Sequence, residues 1–211
     1  MSQLLQVAPG DIERTSFEIL TRELGDRLRR DETTPVVQRV IHTTADFDYA
    51  ETLCFSDQVI ARAKEALRAG ATLVTDTRMA LAGINKAAAA RLGCTLCCFI
   101  DDPAVAEAAA REGSTRSAAA VDRAVALPGP LIVVVGNAPT ALLRLRQRID
   151  EGAVRPARIV GVPVGFVNVE AAKEGILTCP VPHIVARGRK GGSTVAAAIC
   201  NALLYDCLKE T

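Results

Sequence analysis

The chain has two histidines in 211 residues, and one of them stands among groups that suit proton transfer. In Ile41-His42-Thr43-Thr44-Ala45-Asp46 the imidazole is followed by two hydroxyls, by Asp46 and then by Asp48. Imidazole is the side chain whose ordinary titration lies nearest neutrality, so His42 can donate or accept a proton under physiological conditions. Taken alone, it would read as a capping or surface histidine. His183 follows Pro182 ahead of a short strand-like run and reads as structural.

A second set of residues suits an anion. Gly188-Arg189-Lys190-Gly191-Gly192-Ser193 carries two cations and three glycines into a helix start, whose unpaired N–H groups favour negative charge. No Gly-Lys-Ser/Thr triplet closes a Walker A loop, and no Gly-x-Gly-x-x-Gly follows a strand, so a carboxylate is as suitable an occupant as a phosphate. A flexible glycine loop with solvated charges fits the local chemistry equally well. Thr75-Asp76 and Gly136-Asn137-Ala138-Pro139 each follow a strand-like run, although the second is also ordinary turn chemistry. Residues 111–117 read as a polar helix–helix connection, with a mobile flap presenting Arg116 as the functional alternative. No Gly-x-Ser-x-Gly elbow and no obvious carboxylate dyad is present. Cys94-x-x-Cys97 has no second pair or nearby histidine to complete a zinc site, so the seven cysteines read as free thiols in a reducing cytoplasm, and no metal site is expected.

The elements that hold these groups follow from periodicity. Val36, Val37, Val40 and Ile41 recur at helical spacing from about residue 35, and Thr43, Thr44 and Asp46 favour a cap, which puts His42 near a helix C-terminus. A helix is expected over 11–30 and another over 57–69, with an irregular stretch from 47 to 54 between the helix bearing His42 and the latter. Beyond residue 70 short apolar strands (72–75, 95–100, 131–135, 158–162, 184–186) alternate with helices (79–92, 103–112, 118–126, 140–151, 168–174, 194–208). That order implies right-handed crossovers and one α/β domain over 1–211, three-layered, with a mainly parallel sheet of about five strands and helices on both faces. In such a sheet ligands gather beyond the carboxyl ends of the strands, where Asp76, Asn137 and the 188–193 loop fall.

Composition narrows the classes. Apolar residues make up 49% of the chain, enough for a sizeable core, and 25 basic against 24 acidic residues leave a net charge of +1. That balance argues against nucleic acid as a partner. The longest aliphatic run, residues 131–135, is far too short to span a membrane. Residues 1–10 lack the charged and apolar regions of a secretory signal, so a cytoplasmic protein is expected.

Six stretches together give the chain a resemblance to the precorrin-8X methylmutase family of cobalamin biosynthesis. They are Ile12-Glu13-Arg14-Thr15-Ser16-Phe17, Arg39-Val40-Ile41-His42-Thr43-Thr44-Ala45-Asp46, Thr75-Asp76-Thr77-Arg78-Met79-Ala80-Leu81-Ala82-Gly83-Ile84, Val135-Gly136-Asn137-Ala138-Pro139-Thr140-Ala141-Leu142, Pro163-Val164-Gly165-Phe166-Val167 and Gly188-Arg189-Lys190-Gly191-Gly192-Ser193. The resemblance implies a cofactor-free isomerase that moves a methyl group from C-11 to C-12 of a corrin-like macrocycle in a 1,5-sigmatropic shift, giving hydrogenobyrinic acid. It gives His42 the role of proton donor to a ring nitrogen. It makes Ser16 and Arg39 substrate contacts, and adds Thr43, Asp76, Met79, Asn137, Arg189, Lys190 and Ser193, with Arg116 as the flap arginine. It also implies a homodimer with sites at the subunit interface, where Ser16 or Arg116 would act across it. The cobalt-containing analogue as substrate, and a non-catalytic corrinoid carrier, are the alternatives; a nucleotide-dependent enzyme is disfavoured by the missing phosphate fingerprints.

Overall fold

The computed structural model describes Leu4 and residues 6–209. The outermost parts of the expected 1–211 domain, residues 1–3, 5, 210 and 211, lie outside the described residues, as does that part of the stretch read for a signal. Six strands form one sheet: β1 (Leu53–Phe55), β2 (Thr72–Thr75), β3 (Thr95–Cys98), β4 (Leu131–Val135), β5 (Arg158–Gly161) and β6 (His183–Ala186). Their order is β1-β6-β5-β4-β2-β3, parallel throughout except for β1, which pairs antiparallel with β6. The expected strands are therefore present, and β1 adds a sixth at one edge. Three residues, two of them only half-buried, leave too short an apolar signal to mark it in the sequence.

Eleven helices surround the sheet among the described residues: α1 (Ile12–Leu24), α2 (Thr34–Thr44), α3 (Tyr49–Thr52), α4 (Val59–Arg68), α5 (Arg78–Gly83), α6 (Lys86–Arg91), α7 (Pro103–Glu112), α8 (Arg116–Val125), α9 (Pro139–Asp150), α10 (Val169–Leu177) and α11 (Ser193–Lys209). Alternation along β4 separates two cores, as strand geometry requires. Ile132 and Val134 face the core shared with α2, α4, α5, α6 and α11, whereas Leu131, Val133 and Val135 face α8, α9 and α10. Six consecutive residues of α11, from Val195 to Cys200, are buried, so this helix is covered on every side. It touches β4 and β5 and is itself packed against α2, α4 and α5. The helix bearing His42 thus lies on α11, as cover outside the three expected layers. None of these helices is long and apolar enough to cross a membrane.

Two expected helices are interrupted. The one read over 11–30 stops at Leu24, because Gly25 takes a left-handed φ of 53°. The one read over 79–92 is two, α5 and α6. Asn201 of α11 donates to the Gly83 carbonyl at 2.9 Å and accepts the Asn85 N–H at 2.8 Å, while the Asn85 side chain caps α6 by accepting the Ala88 N–H at 2.9 Å. A side chain thus takes over the backbone groups that a continuous helix would pair internally.

Candidate active site at the carboxyl edge of the sheet

His42 occupies the last turn of α2, which ends where Ala45 adopts a left-handed φ of 53° and returns its N–H to the Ile41 carbonyl. Its imidazole is exposed, yet it is held on two sides. Ser16 Oγ of α1 lies 2.9 Å from Nδ1, and the Phe17 ring stacks on the imidazole with centroids 5.0 Å apart and planes 17° from parallel. Nε2 makes no hydrogen bond among the described residues, so the open nitrogen is the one available to a ligand. Ser16, expected to meet substrate, here meets the histidine.

The connections from β2 run toward β3 and those from β4 run toward β5 and β6, so the chain diverges between two adjacent strands. Asp76 closes this switch point. It is 7% exposed, and its carboxylate accepts the N–H groups of Gly136, Asn137 and Ala138, each at 2.8 Å. Burial pushes its carboxyl above the usual range, against the pull of those three donors. Three of the acceptor sites of this carboxylate thus go to the 136–138 turn, whose shape Asp76 fixes. Asn137 N–H joins that network while its side chain is exposed. Thr77 caps α5 by accepting the Ala80 N–H, and its hydroxyl lies 2.8 Å from Ser193 Oγ at the start of α11. A Cβ on Gly136 would sit 2.8 Å from Ser193 Cα, so only glycine lets β4 approach α11 this closely. Met79, 66% exposed, stands free on the first turn of α5.

The 188–193 loop is tied to the histidine side of the crevice. Lys190 Nζ lies 2.7 Å from Asp46 and 2.5 Å from Asp48, the two carboxylates that follow His42. Those hydrogen-bonded carboxylates hold its ammonium above the ordinary lysine range. Arg189 pairs with Glu170 at 3.1 Å, and its guanidinium lies 5.6 Å from the centroid of the Phe166 ring, itself 82% exposed. Both cations thus have protein partners already. Behind them Lys173 of α10, whose side chain is fully buried, donates to the Gly188 and Lys190 carbonyls, each at 2.7 Å. Burial pulls its ammonium down to about 8.

The remaining expected residues are spread around this centre. Thr43 donates its hydroxyl to the Arg39 carbonyl at 2.9 Å, and so is partly engaged in its own helix. Arg39 pairs with Glu13 and lies 4.8 Å and 5.3 Å from the Phe17 and Tyr205 ring centroids. It faces a groove between α1, α2 and α11 that does not include His42. Arg116 is exposed as the first residue of α8, which Thr115 caps. The connection from α7 is short, with Gly113 in a left-handed conformation, and the Thr115 hydroxyl donates to Thr140 at 2.9 Å. The neighbouring Ser117, not Arg116, lines a small cavity with Thr75 and Asp76. Sequence reading passed over Phe17, Thr77 and Lys173 as individual participants. Thr77, two residues past β2 at a cap position, carried the clearest signal. His183 is buried in β6, with Nδ1 2.9 Å from the Val181 carbonyl, in keeping with its structural reading. The seven cysteines are free thiols.

A doubly wound sheet with polar groups converging on its switch point, and an exposed imidazole pinned beside them, defines an α/β enzyme acting on a small molecule. The chain belongs to the precorrin-8X methylmutase family, whose model matches residues 11–206. The family catalyses a methyl migration in corrin biosynthesis, which makes it an isomerase of the intramolecular transferase type. The chain is 46% identical over 209 residues to the cobalt-precorrin-8 methylmutase of Salmonella typhimurium, covering 93% of this chain and 95% of the relative. It is 43% identical over 202 residues to that of Leptospira interrogans, covering 92% of each. The crystal structure of precorrin-8x methyl mutase from Thermus thermophilus superposes with a TM-score of 0.86 at 40% identity, covering 95% of this chain and 98% of that one.

Proposed function

We propose that this protein converts precorrin-8X to hydrogenobyrinic acid by a 1,5-sigmatropic shift of a methyl group from C-11 to C-12, with His42 as the proton donor. One observation carries the reading: the one exposed imidazole among the described residues has Nδ1 occupied by Ser16, its ring stacked on Phe17, and Nε2 without a protein partner. Substrate and product are isomers, since the methyl breaks its bond to C-11 and forms one to C-12. A proton given to a ring nitrogen during the shift is therefore balanced by one lost as the product forms. The shift calls on the protein for a bound conformer and a placed proton, with no cofactor required. A positioned general acid contributes about 10²–10⁴-fold.

The macrocycle's carboxylates would lie against the 188–193 loop, exchanging for the exposed partners of Arg189. Asn137, Met79 and Ser193 would border the same crevice. The protein acts as one domain, in the cytoplasm, and as a homodimer with its sites at the interface, where Arg116 of one subunit would serve the other. A monomer mass by light scattering at micromolar concentration would remove that part of the reading.

The test is to incubate the purified protein with precorrin-8X and no additive and to follow the absorption spectrum. Conversion to the hydrogenobyrinic acid chromophore is expected. Because the Salmonella and Leptospira relatives bear the name cobalt-precorrin-8 methylmutase, the cobalt-containing analogue is the second reading, tested in a parallel incubation. Binding without conversion in both incubations would mark a carrier and sink the enzymatic assignment.

A further inference from the structure

Lys173 carries a charge into the interior with no carboxylate within 4 Å among the described residues. The nearest acid that stabilises its charge, Glu170, is engaged by Arg189. Burying an ammonium in this way is costly unless its donors are matched, and here the matches are two main-chain carbonyls of one loop, those of Gly188 and Lys190. A trans peptide is planar, with its C=O and N–H pointing in opposite directions. Turning the Gly188 and Lys190 carbonyls onto α10 therefore turns the N–H groups of Arg189 and Gly191 away from α10. Neither N–H donates to a main-chain carbonyl among the described residues. The loop is anchored on its other side as well, because the Lys190 side chain reaches Asp46 and Asp48 just beyond His42. Gly191 cannot be replaced without moving this arrangement, since a Cβ there would lie 2.2 Å from the Val162 carbonyl oxygen.

We propose that Lys173 is a positioning residue for substrate binding: by holding two loop carbonyls inward it presents the Arg189 and Gly191 N–H groups as a cradle for one carboxylate of the macrocycle. The inference rests on the reading of this crevice as the macrocycle site. It also accounts for an anion loop whose cations are already paired, since the recognising donors are then backbone N–H groups, which keep their direction whether or not Arg189 and Lys190 exchange partners. Lys173 touches no reacting atom. Its contribution is to binding that is equal in the ground and transition states, and so falls on KM rather than on kcat.

Two variants test this, Lys173→Met, which keeps the length without the donors, and Lys173→Gln, which keeps an amide donor without the charge. Each variant whose circular dichroism and gel-filtration elution match wild type is assayed for turnover of precorrin-8X and titrated with hydrogenobyrinic acid. The expected result is a KM and a product Kd raised at least fivefold in Lys173→Met and by less in Lys173→Gln, with kcat within about threefold of wild type in both. A smaller rise in Kd for Lys173→Met, or a loss confined to kcat, overturns the proposal. Wild-type protein that neither binds nor converts precorrin-8X would instead overturn the functional reading beneath it.

Discussion

Ser16 Oγ lies 2.9 Å from His42 Nδ1, joining α1 to the last turn of α2 across 26 residues of sequence. A hydroxyl can donate to a neutral imidazole nitrogen and accept from a protonated one. Ser16 can therefore stay bonded to His42 before and after it gives up a proton, and in both states it leaves Nε2 facing outward. Replacing it removes orientation but not the acid. Ser16→Ala should lower kcat by the worth of one hydrogen bond, about 0.5–1.5 kcal/mol, or a few-fold to about tenfold. Ser16→Thr should retain most of the rate. Single-turnover rates for the two variants make the comparison, and equal losses in both would show that the hydroxyl is irrelevant.

Asp76 has a different weight. Three backbone donors converge on one buried carboxylate, and an amide in its place would turn an NH₂ group toward some of them. Asp76→Asn should cost about 1–3 kcal/mol of stability, the penalty for buried groups left unpaired. Loss of activity should follow from the displaced turn at 136–138. Denaturant unfolding measures the first effect. An unchanged midpoint would mean that the turn holds itself without the carboxylate.

Arg158 presents the reverse situation. It opens β5 fully buried, and its three guanidinium nitrogens have no hydrogen-bond partner among the described residues. Burial pulls its guanidinium down to about 10. Replacing buried charge by an apolar side chain of similar size is often neutral or stabilising by about 1–4 kcal/mol. Arg158→Met should therefore raise the unfolding midpoint, with turnover unchanged because the residue lies at the amino end of its strand, away from the crevice. A lowered midpoint would show that the guanidinium contributes a contact worth more than its desolvation.

His183 supplies the pH dependence. Burial lowers its pKa below the ordinary histidine value of 6.5, opposed by the Val181 carbonyl. The unfolded chain therefore takes up the proton first as pH falls through about 6.5, and stability declines toward acid. His183→Phe, which cannot be protonated, should flatten that decline. Melting temperatures of both proteins between pH 7 and pH 5 give the comparison, and parallel curves would refute the assignment.

What could be read from the chain was local. His42 stood out because imidazole is rare here and because the apolar face of its helix ends one residue earlier. The 188–193 loop stood out because glycines and cations are contiguous. The parallel strands β2, β4 and β5 announced themselves as short apolar runs between helices. What could not be read depends on partners distant in sequence. The bond between Asp76 and the 136–138 turn cannot be read until Gly136, 60 residues later, is brought to it. The break between α5 and α6 is made by Asn201, 118 residues beyond Gly83. Lys173 looks like any helix lysine until the Gly188 carbonyl arrives 15 residues on. No periodicity encodes such meetings, because they follow from the packing of α10 and α11 rather than from their own residues.

His42→Ala bears on the mechanism itself. The side chain is exposed at a helix end, so its removal leaves no cavity in the core, and the protein should fold normally. Product affinity should change little, because the loop N–H groups and the rim cations do not depend on the imidazole. Turnover should fall by about 10²–10⁴-fold, the usual contribution of a positioned general acid. The other polar groups around the crevice cannot replace it. Asp76 is engaged by three N–H groups, Asp46 is held below the usual carboxylate range by Lys190, Lys173 is buried with its ammonium turned to two carbonyls, and arginines do not release a proton near neutrality. The measurement is single-turnover conversion of precorrin-8X by the variant, with the Kd for hydrogenobyrinic acid determined alongside. A variant that binds normally and converts substrate within a few-fold of wild type would make His42 a structural residue. The proton would then have to come from bound water or from the substrate's own carboxyl groups, and the Ser16–His42 contact would be a tie between α1 and α2 and nothing more.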